Sequence, residues 1–139
     1  MTSSILSTPG SIGYIEYGFA KTQDMPMAIL ENKSGSFVAA STESVQSALA
    51  TAKFSENLIA WVPDPDAKDA YPIATYTWLI CYKHYNDKRK FQLLQSLLTW
   101  CATDGQKESE ALGYVPLPQA VVEKDKAAIQ NITLAPNAT

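Results

Sequence analysis

The sequence contains few of the residues that most often carry out chemistry at neutral pH. Among its 139 residues there is one histidine, His84, and one arginine, Arg89. A lone histidine in a charged loop cannot be assigned as general base to any particular serine, so no nucleophile–base pair is predicted. The two cysteines do not form a Cys-x-x-Cys pair, which disfavours a zinc site. We therefore expect a non-enzymatic protein with no catalytic residue, no metal site and no cofactor.

The charge balance argues against two classes of partner. The chain carries 11 basic and 14 acidic residues, for a net charge of −3, whereas a nucleic-acid surface normally shows a basic stripe. The one basic cluster, residues 83–90, is interrupted by Asp87, which indicates a solvated loop entering a helix rather than a polyanion site. No stretch approaches the roughly 18 apolar residues of a membrane span. We expect no nucleic-acid partner and no membrane insertion.

The N-terminus and the cysteines leave the compartment open. Residues 1–18 have neither a basic segment nor a sustained apolar one, so they do not have the pattern of a signal peptide. Cys81 and Cys101 lie in apolar runs, which favours buried free thiols over a single disulfide.

Three stretches resemble binding motifs but lack essential parts. Asp64, Asp66 and Asp69 lack the glycine and the terminal glutamate of an EF-hand. The sequence TPGSIG at 8–13 lacks the lysine of a P-loop and leads into a predicted strand. Glu16 fits an outward-facing strand carboxylate better than an acid–base group. No catalytic, phosphate-binding or metal-binding residue is therefore assigned from the sequence.

The N-terminal part of the chain predicts short strands. Residues 11–20, SIGYIEYGFA, alternate β-branched and aromatic side chains at a period of two, which predicts a strand. A second short strand is predicted at 27–31, followed by a turn at 31–36. Residues 37–39 fit either a return strand or an irregular arm.

The middle of the chain predicts two helices around a strong strand. Ser41 or Thr42 can cap a helix through residues 43–54. Residues 73–82 contain no glycine, proline or charge, as is typical of a central strand covered by helices on both faces. Residues 88–103 predict a well-buried helix ended by Asp104 and Gly105. Its two apolar stripes are Phe91, Leu94, Leu98 and Cys101, and beside them Leu93, Leu97 and Trp100.

The C-terminal part predicts an extended connector before a last helix. Gly113 allows a sharp exit, and the prolines keep residues 114–117 extended. Pro118 suits the first position of a helix, where its missing N–H costs nothing. The predicted buried stripe of that helix comprises Val121, Val122, Ala128, Ile129 and Ile132.

Four segments in order resemble one family. TPGSIGYIEYGFA at 8–20, AYPIATYTWLICYK at 70–83, LLQSLLTWC at 93–101 and ALGYVPLPQAVVEK at 111–124 are similar to the C-terminal portion of the phosphate-binding proteins of ABC transporters, the PstS-type periplasmic substrate-binding proteins. The resemblance implies an α/β fold, namely the C-terminal part of a type II periplasmic-binding-protein fold with a mixed sheet flanked by helices. Such proteins hold their ligand in a cleft between two lobes.

The resemblance also implies how the chain is organised. Residues 1–139 are expected to form a single domain, in which 8–60 supply part of the second lobe and hinge and 61–139 complete the first lobe. The family grips phosphate with helix N-termini, hydroxyl groups, an arginine and an aspartate. Those groups belong to segments upstream of residues 8–20, and Arg89 does not match the family's ligand arginine.

The expected function is therefore that of a truncated or split, non-enzymatic component of ABC-type phosphate uptake. It would bind phosphate only with a complementing N-terminal segment. The family is periplasmic or located at the cell surface, but the location of this chain stays open.

An alternative is a stand-alone remnant that acts as an oligomeric interaction module without binding phosphate. The segment at 11–18 would be an uncovered apolar sheet edge, and such edges pair with other chains. This predicts a homodimer or a higher oligomer.

Overall fold

A computed structural model describes residues 1–136. Short helices alternate with very short strands, and the longest helix has 15 residues. In chain order the elements are α1 Thr2–Ser7, α2 Tyr17–Thr22, β1 Leu30–Glu31, β2 Phe37–Val38, α3 Thr42–Ala50, β3 His84–Tyr85, α4 Lys88–Ala102, a 3-10 helix Asp104–Glu108, α5 Gln119–Gln130 and β4 Thr133–Leu134.

The strands form two small sheets. β1 and β2 are antiparallel, with Leu30 opposite Val38. This hairpin confirms the predicted turn and strand, although β1 covers only the last two residues of the predicted 27–31, and of the two alternatives for 37–39 it supports the return strand. β3 and β4 are parallel, with His84 opposite Thr133. Elsewhere in the described part of the chain, one antiparallel bridge joins Pro63 to Ile73. The predicted α/β class is confirmed, although each strand has only two residues.

α3 begins as its sequence predicts. The Ser41 hydroxyl accepts a hydrogen bond from the Ser44 N–H at 3.1 Å, and the Ser44 hydroxyl accepts one from the Ser41 N–H at 2.9 Å. This reciprocal cap satisfies donors that the first turn leaves free. The helix ends at Ala50, earlier than the predicted 54, and the Thr51 hydroxyl donates to the Ala48 carbonyl at 2.7 Å.

α4 confirms the predicted helix but not its predicted burial. Leu98 is only 8% exposed, whereas Leu93 and Leu97 are 63% and 55% exposed. The helix packs against α5, β3 and β4, so one apolar stripe is covered and the other is not. The predicted stop is also wrong: α4 ends at Ala102, and Gly105 lies inside the following 3-10 helix rather than in a left-handed position.

The connector before α5 brings two glycines together. Gly113 has φ +84°, as the predicted sharp exit requires. A Cβ added to Gly18 of α2 would lie 2.6 Å from the Gly113 Cα atom, so neither residue can carry a side chain. Pro118 is the cap of α5 rather than its first residue, a shift of one position.

The core is small and lies where α3, the loop before Ile73 and the start of α5 meet. Tyr76 is 7% exposed, and its hydroxyl donates to the Leu49 carbonyl at 2.6 Å. Burial, together with the nearby Asp125 carboxylate, raises the pKa of Tyr76 to about 12. The buried cluster comprises Ala48, Leu49, Ala60, Val62, Ala70, Tyr76 and Val121. It therefore joins residues from both of the ranges that the resemblance assigns to different lobes.

Two of the predicted strands, at 11–20 and 73–82, do not form. Residues 17–20 belong to α2, and residues 11–16 have no ladder partner. Residues 73–82 bridge to another segment only at Ile73. A strand is stabilised by hydrogen bonds to a neighbouring strand, and the described residues place none beside either segment. The cysteines within this fold, Cys81 and Cys101, are free thiols and are half-buried.

Candidate functional site

The titratable residues considered from the sequence do not converge. His84 is exposed, and its Nδ1 atom lies 2.9 Å from the Thr133 hydroxyl. Arg89 is exposed in the first turn of α4. Glu16 is exposed at the start of α2, where its charge and a hydrogen bond raise the pKa of Tyr114. These residues contact different parts of the chain and assemble no acid–base pair.

Two carboxylates of the loop at 64–69 contact Lys33. The Lys33 N–H donates to Asp64 Oδ1 at 2.8 Å, and the Lys33 Nζ lies 2.9 Å from Asp66 Oδ1. The hydrogen bond that the Lys33 ammonium donates to the Asp66 carboxylate, together with the charge of that carboxylate, raises the pKa of Lys33. Among residues 1–136, no three His, Cys, Asp or Glu side chains are grouped as metal ligands would be.

A concave surface of about 500 Å³ lies at the N-terminus of α3, the kind of position where proteins often bind anions. Its rim, however, carries two acidic residues, Glu43 and Asp69. Hydrogen bonds from its own backbone N–H and from the Ser41 hydroxyl lower the pKa of Glu43. The positive end of the helix therefore already faces a carboxylate, and the Ser41 and Ser44 hydroxyls are engaged in the cap.

A second concave surface, of about 470 Å³, lies between α4 and α5. Its single charged lining residue, Lys126, pairs with Glu123 at 3.0 Å. Neither concave surface brings together several free cationic or hydroxyl groups, as dehydrated oxyanion recognition would require.

Two segments, residues 11–16 and 73–82, expose several large apolar side chains, and within residues 1–136 the only ladder contact of either is the bridge between Ile73 and Pro63. In the first, Ile12 is 97% exposed and Tyr14 is 83% exposed. In the second, Ile80 is 99% exposed and Leu79 is 67% exposed. Large apolar side chains this exposed and this close in sequence make each segment a candidate interaction surface.

Residues 73–82 are nevertheless fixed at two points, one in the core and one in the loop that contains Leu58. The buried Tyr76 bonds Leu49, and the Trp78 indole N–H donates to the Leu58 carbonyl at 3.0 Å. The sequence predicts the apolar character of this segment on both faces but not these anchors. The Tyr76 hydroxyl and the Trp78 indole each bond a carbonyl far away in the chain, and a single sequence does not indicate such bonds.

The chain is similar to known binding proteins. Residues 1–105 match the family described as a PBP superfamily domain. The chain is 34% identical over 92% of its length to the phosphate-binding protein PstS of Methanocaldococcus jannaschii, 30% identical over 84% to that of Pasteurella multocida, and 31% identical over 95% to PstS2 of Mycobacterium bovis.

The chain spans little more than a third of these relatives, namely 36%, 35% and 38% of their lengths. Within residues 1–136, none of the helices is both long and apolar enough to cross a bilayer. The chain therefore belongs to the PBP superfamily, the periplasmic binding proteins, and it corresponds to the C-terminal portion of the phosphate-binding proteins to which it is similar.

Proposed function

We propose that the chain is the C-terminal component of a phosphate-binding protein in ABC-type phosphate uptake, with a binding role and no enzymatic one. The observation that carries this is its similarity, along 84–95% of its length, to proteins named as phosphate-binding. In this proposal residues 8–60 supply part of the second lobe and the hinge, and residues 61–139 complete the first lobe.

We propose further that residues 1–136 bind phosphate only together with a complementing N-terminal portion. The structure supports this through the α3 N-terminus, where Glu43 and Asp69 would repel a phosphate. The cap hydroxyls of Ser41 and Ser44 already have partners. Arg89 stands at the start of α4 and does not line either concave surface.

Calorimetry with inorganic phosphate tests this requirement. We expect the 139-residue chain alone to show no binding tighter than about 10 μM. The full-length Methanocaldococcus jannaschii protein, titrated in the same buffer, is the positive control. Binding by the chain alone below that limit would contradict the proposal, and a Glu43→Gln variant would then show whether the α3 N-terminus is the site.

A second candidate function is an oligomeric interaction module that does not bind phosphate. Ile12 and Tyr14 favour it, because they present an apolar surface on an unpaired segment. The two functions differ in what a complementing N-terminal portion does. It would restore phosphate binding in the first case and would have no effect on phosphate binding in the second.

A further inference from the structure

Three of the five asparagines begin a triplet that the enzymes of N-glycosylation recognise. Asn-x-Ser or Asn-x-Thr, with any residue except proline in the middle, is the acceptor pattern for an oligosaccharide. It occurs at 32–34, at 131–133 and at 137–139, whereas Asn57 and Asn86 have no hydroxyl residue two positions later. The pattern alone does not make a site, because the saccharide is bulky and requires an asparagine at the surface.

The fold makes the first of these asparagines inaccessible. Asn32 is 4% exposed. Its side-chain nitrogen, the atom to which a saccharide would be joined, donates to the carbonyls of Lys68 and Ala70 at 2.8 and 3.1 Å. Its oxygen accepts from the Ser34 hydroxyl at 2.6 Å, so the hydroxyl of the triplet is engaged as well. Attachment of a saccharide here would require the hairpin to separate from the loop at 67–70.

The fold leaves the second asparagine at the surface. Asn131 is exposed and lies at the C-terminal end of α5, with φ −80° and ψ −8°. Thr133, the hydroxyl residue of this triplet, is also exposed. Its hydroxyl lies 2.9 Å from the Nδ1 atom of His84, which is itself exposed. Water or an enzyme can therefore replace His84 as the partner of this hydroxyl at little cost in free energy.

The backbone around Asn131 is held by few hydrogen bonds. β4 has two residues, and among the described residues it pairs with β3 alone. Its bonds to that strand include those from the Thr133 N–H to the Lys83 carbonyl at 3.0 Å and from the Ala135 N–H to the Tyr85 carbonyl at 2.9 Å. A strand held so weakly opens locally far more often than the whole protein unfolds. The triplet at 131–133 can therefore enter an enzyme while the core stays folded.

We propose that Asn131 is an N-glycosylation site and that the fold selects it over Asn32. The donor is an oligosaccharide linked to a polyprenyl diphosphate. Asn131 Nδ2 forms a bond to the anomeric carbon of the first sugar, and the bond from that carbon to the diphosphate oxygen breaks. The lipid diphosphate leaves with the electron pair, and the amide releases one proton to a carboxylate of the transferase.

This modification is independent of phosphate binding, so failure of either proposal leaves the other standing. Acceptors of this kind belong to secreted proteins, which agrees with the periplasmic family to which the chain belongs.

The experiment measures transfer to the folded 139-residue chain carrying Asn137→Gln. That substitution is needed because Asn137 lies on the same tryptic peptide as Asn131. The chain is incubated with a purified single-subunit oligosaccharyltransferase that accepts Asn-x-Ser and Asn-x-Thr, together with its lipid-linked oligosaccharide. Mass spectrometry of the peptides measures the rate at each asparagine. We expect Asn131 to be modified at least about 100-fold faster than Asn32.

Two blocked synthetic peptides, residues 29–36 and 128–135, show what the triplets do outside the fold. Both should be modified, at rates that agree within about tenfold, because each contains a complete acceptor triplet. The difference between the two asparagines in the folded chain then comes from the fold.

Variants at Thr133 test whether the enzyme recognises the triplet. Thr133→Ala removes the hydroxyl and should slow transfer to Asn131 at least about 100-fold, whereas Thr133→Ser keeps it and should stay within about tenfold of the parent chain. The matched control is His84→Ala, which removes the same side-chain contact from the other side and leaves the triplet intact. It should be modified within about twofold of the parent rate. Circular dichroism checks that each variant is folded.

The outcomes separate clearly. Transfer to Asn131 with Asn32 unmodified supports the proposal. Transfer to peptide 128–135 but not to Asn131 of the folded chain overturns it, because β4 then keeps the triplet closed. Equal rates at Asn131 and Asn32 in the folded chain also overturn it, as does transfer to Thr133→Ala at the parent rate.

Discussion

At the scale of single residues, Asn32 shows how one side chain joins two loops. It is 4% exposed although it lies just before a hairpin turn. Its side-chain nitrogen donates to carbonyls of the loop that precedes residues 73–82, and its oxygen accepts from the turn. The partners are the carbonyls of Ala67, Lys68 and Ala70 and the N–H groups of Ser34 and Ser36. A side chain that both donates and accepts is required here.

Replacing Asn32 by aspartate keeps its shape and removes its donor. In Asn32→Asp, a carboxylate faces carbonyl oxygens 2.8–3.2 Å away, so we expect the free energy of unfolding at pH 7 to fall by at least about 2 kcal/mol. The loss should shrink as the pH is lowered, because the protonated acid regains a donor. Urea unfolding measures both effects. Asn57→Asp, at an exposed position, is the control, and an equal loss there would refute this account.

At the scale of elements, α4 presents one covered and one uncovered apolar stripe. Two adjacent leucines show the difference: Leu98, in the covered stripe, is 8% exposed, whereas Leu97, in the other stripe, is 55% exposed. We expect Leu98→Ala to lower the free energy of unfolding of the chain by about 2–4 kcal/mol. Leu97→Ala should change it by less than about 1 kcal/mol. Urea unfolding of the two variants compares them directly, and equal losses would mean that both stripes are covered in solution.

The elements that the sequence predicts well are those whose signals are local. Ser41, one of the two predicted caps, starts α3, and the periodic leucines define α4. The turn at 31–36 likewise follows from its glycine and polar residues. Residues 11–20 and 73–82 were predicted as strands and are not, because strand formation depends on a neighbour that local sequence does not supply. The apolar pattern predicts a neighbouring strand, and within residues 1–136 no strand pairs with either segment along its length.

The candidate surface was predictable only in part, for the same reason. Composition predicts that residues 73–82 are apolar on both faces, and it argues against a catalytic or metal site. It does not predict the anchors at Tyr76 and Trp78, which depend on backbone carbonyls 27 and 20 positions away. Nor does it predict that Glu43 and Asp69 lie together at the concave surface beside the start of α3, since Asp69 reaches that surface only through the fold.

At the scale of the whole molecule, the buried core is too small to cover the apolar residues. In the described part of the chain no large side chain is fully buried, and the core cluster consists mainly of alanine and valine. Among the exposed residues are Ile12, Tyr14, Phe37, Trp61 and Ile80. Association would bury part of this apolar surface and so lower the free energy of the chain in water. The complementing portion is the proposed partner, but self-association is expected when it is absent.

That expectation gives the last prediction. At micromolar concentration and without a complementing portion, we expect a homodimer or a higher oligomer held partly by residues 11–16. Ile12→Lys places a charge on a side chain that is 97% exposed, so it should leave the fold intact while shifting the population toward monomer. Phe37→Lys is the matched control, because Phe37 is 72% exposed but lies outside that segment. Light scattering measures the mass of each variant. A monomeric parent chain would refute the prediction, and an equal shift in both variants would place the contact elsewhere.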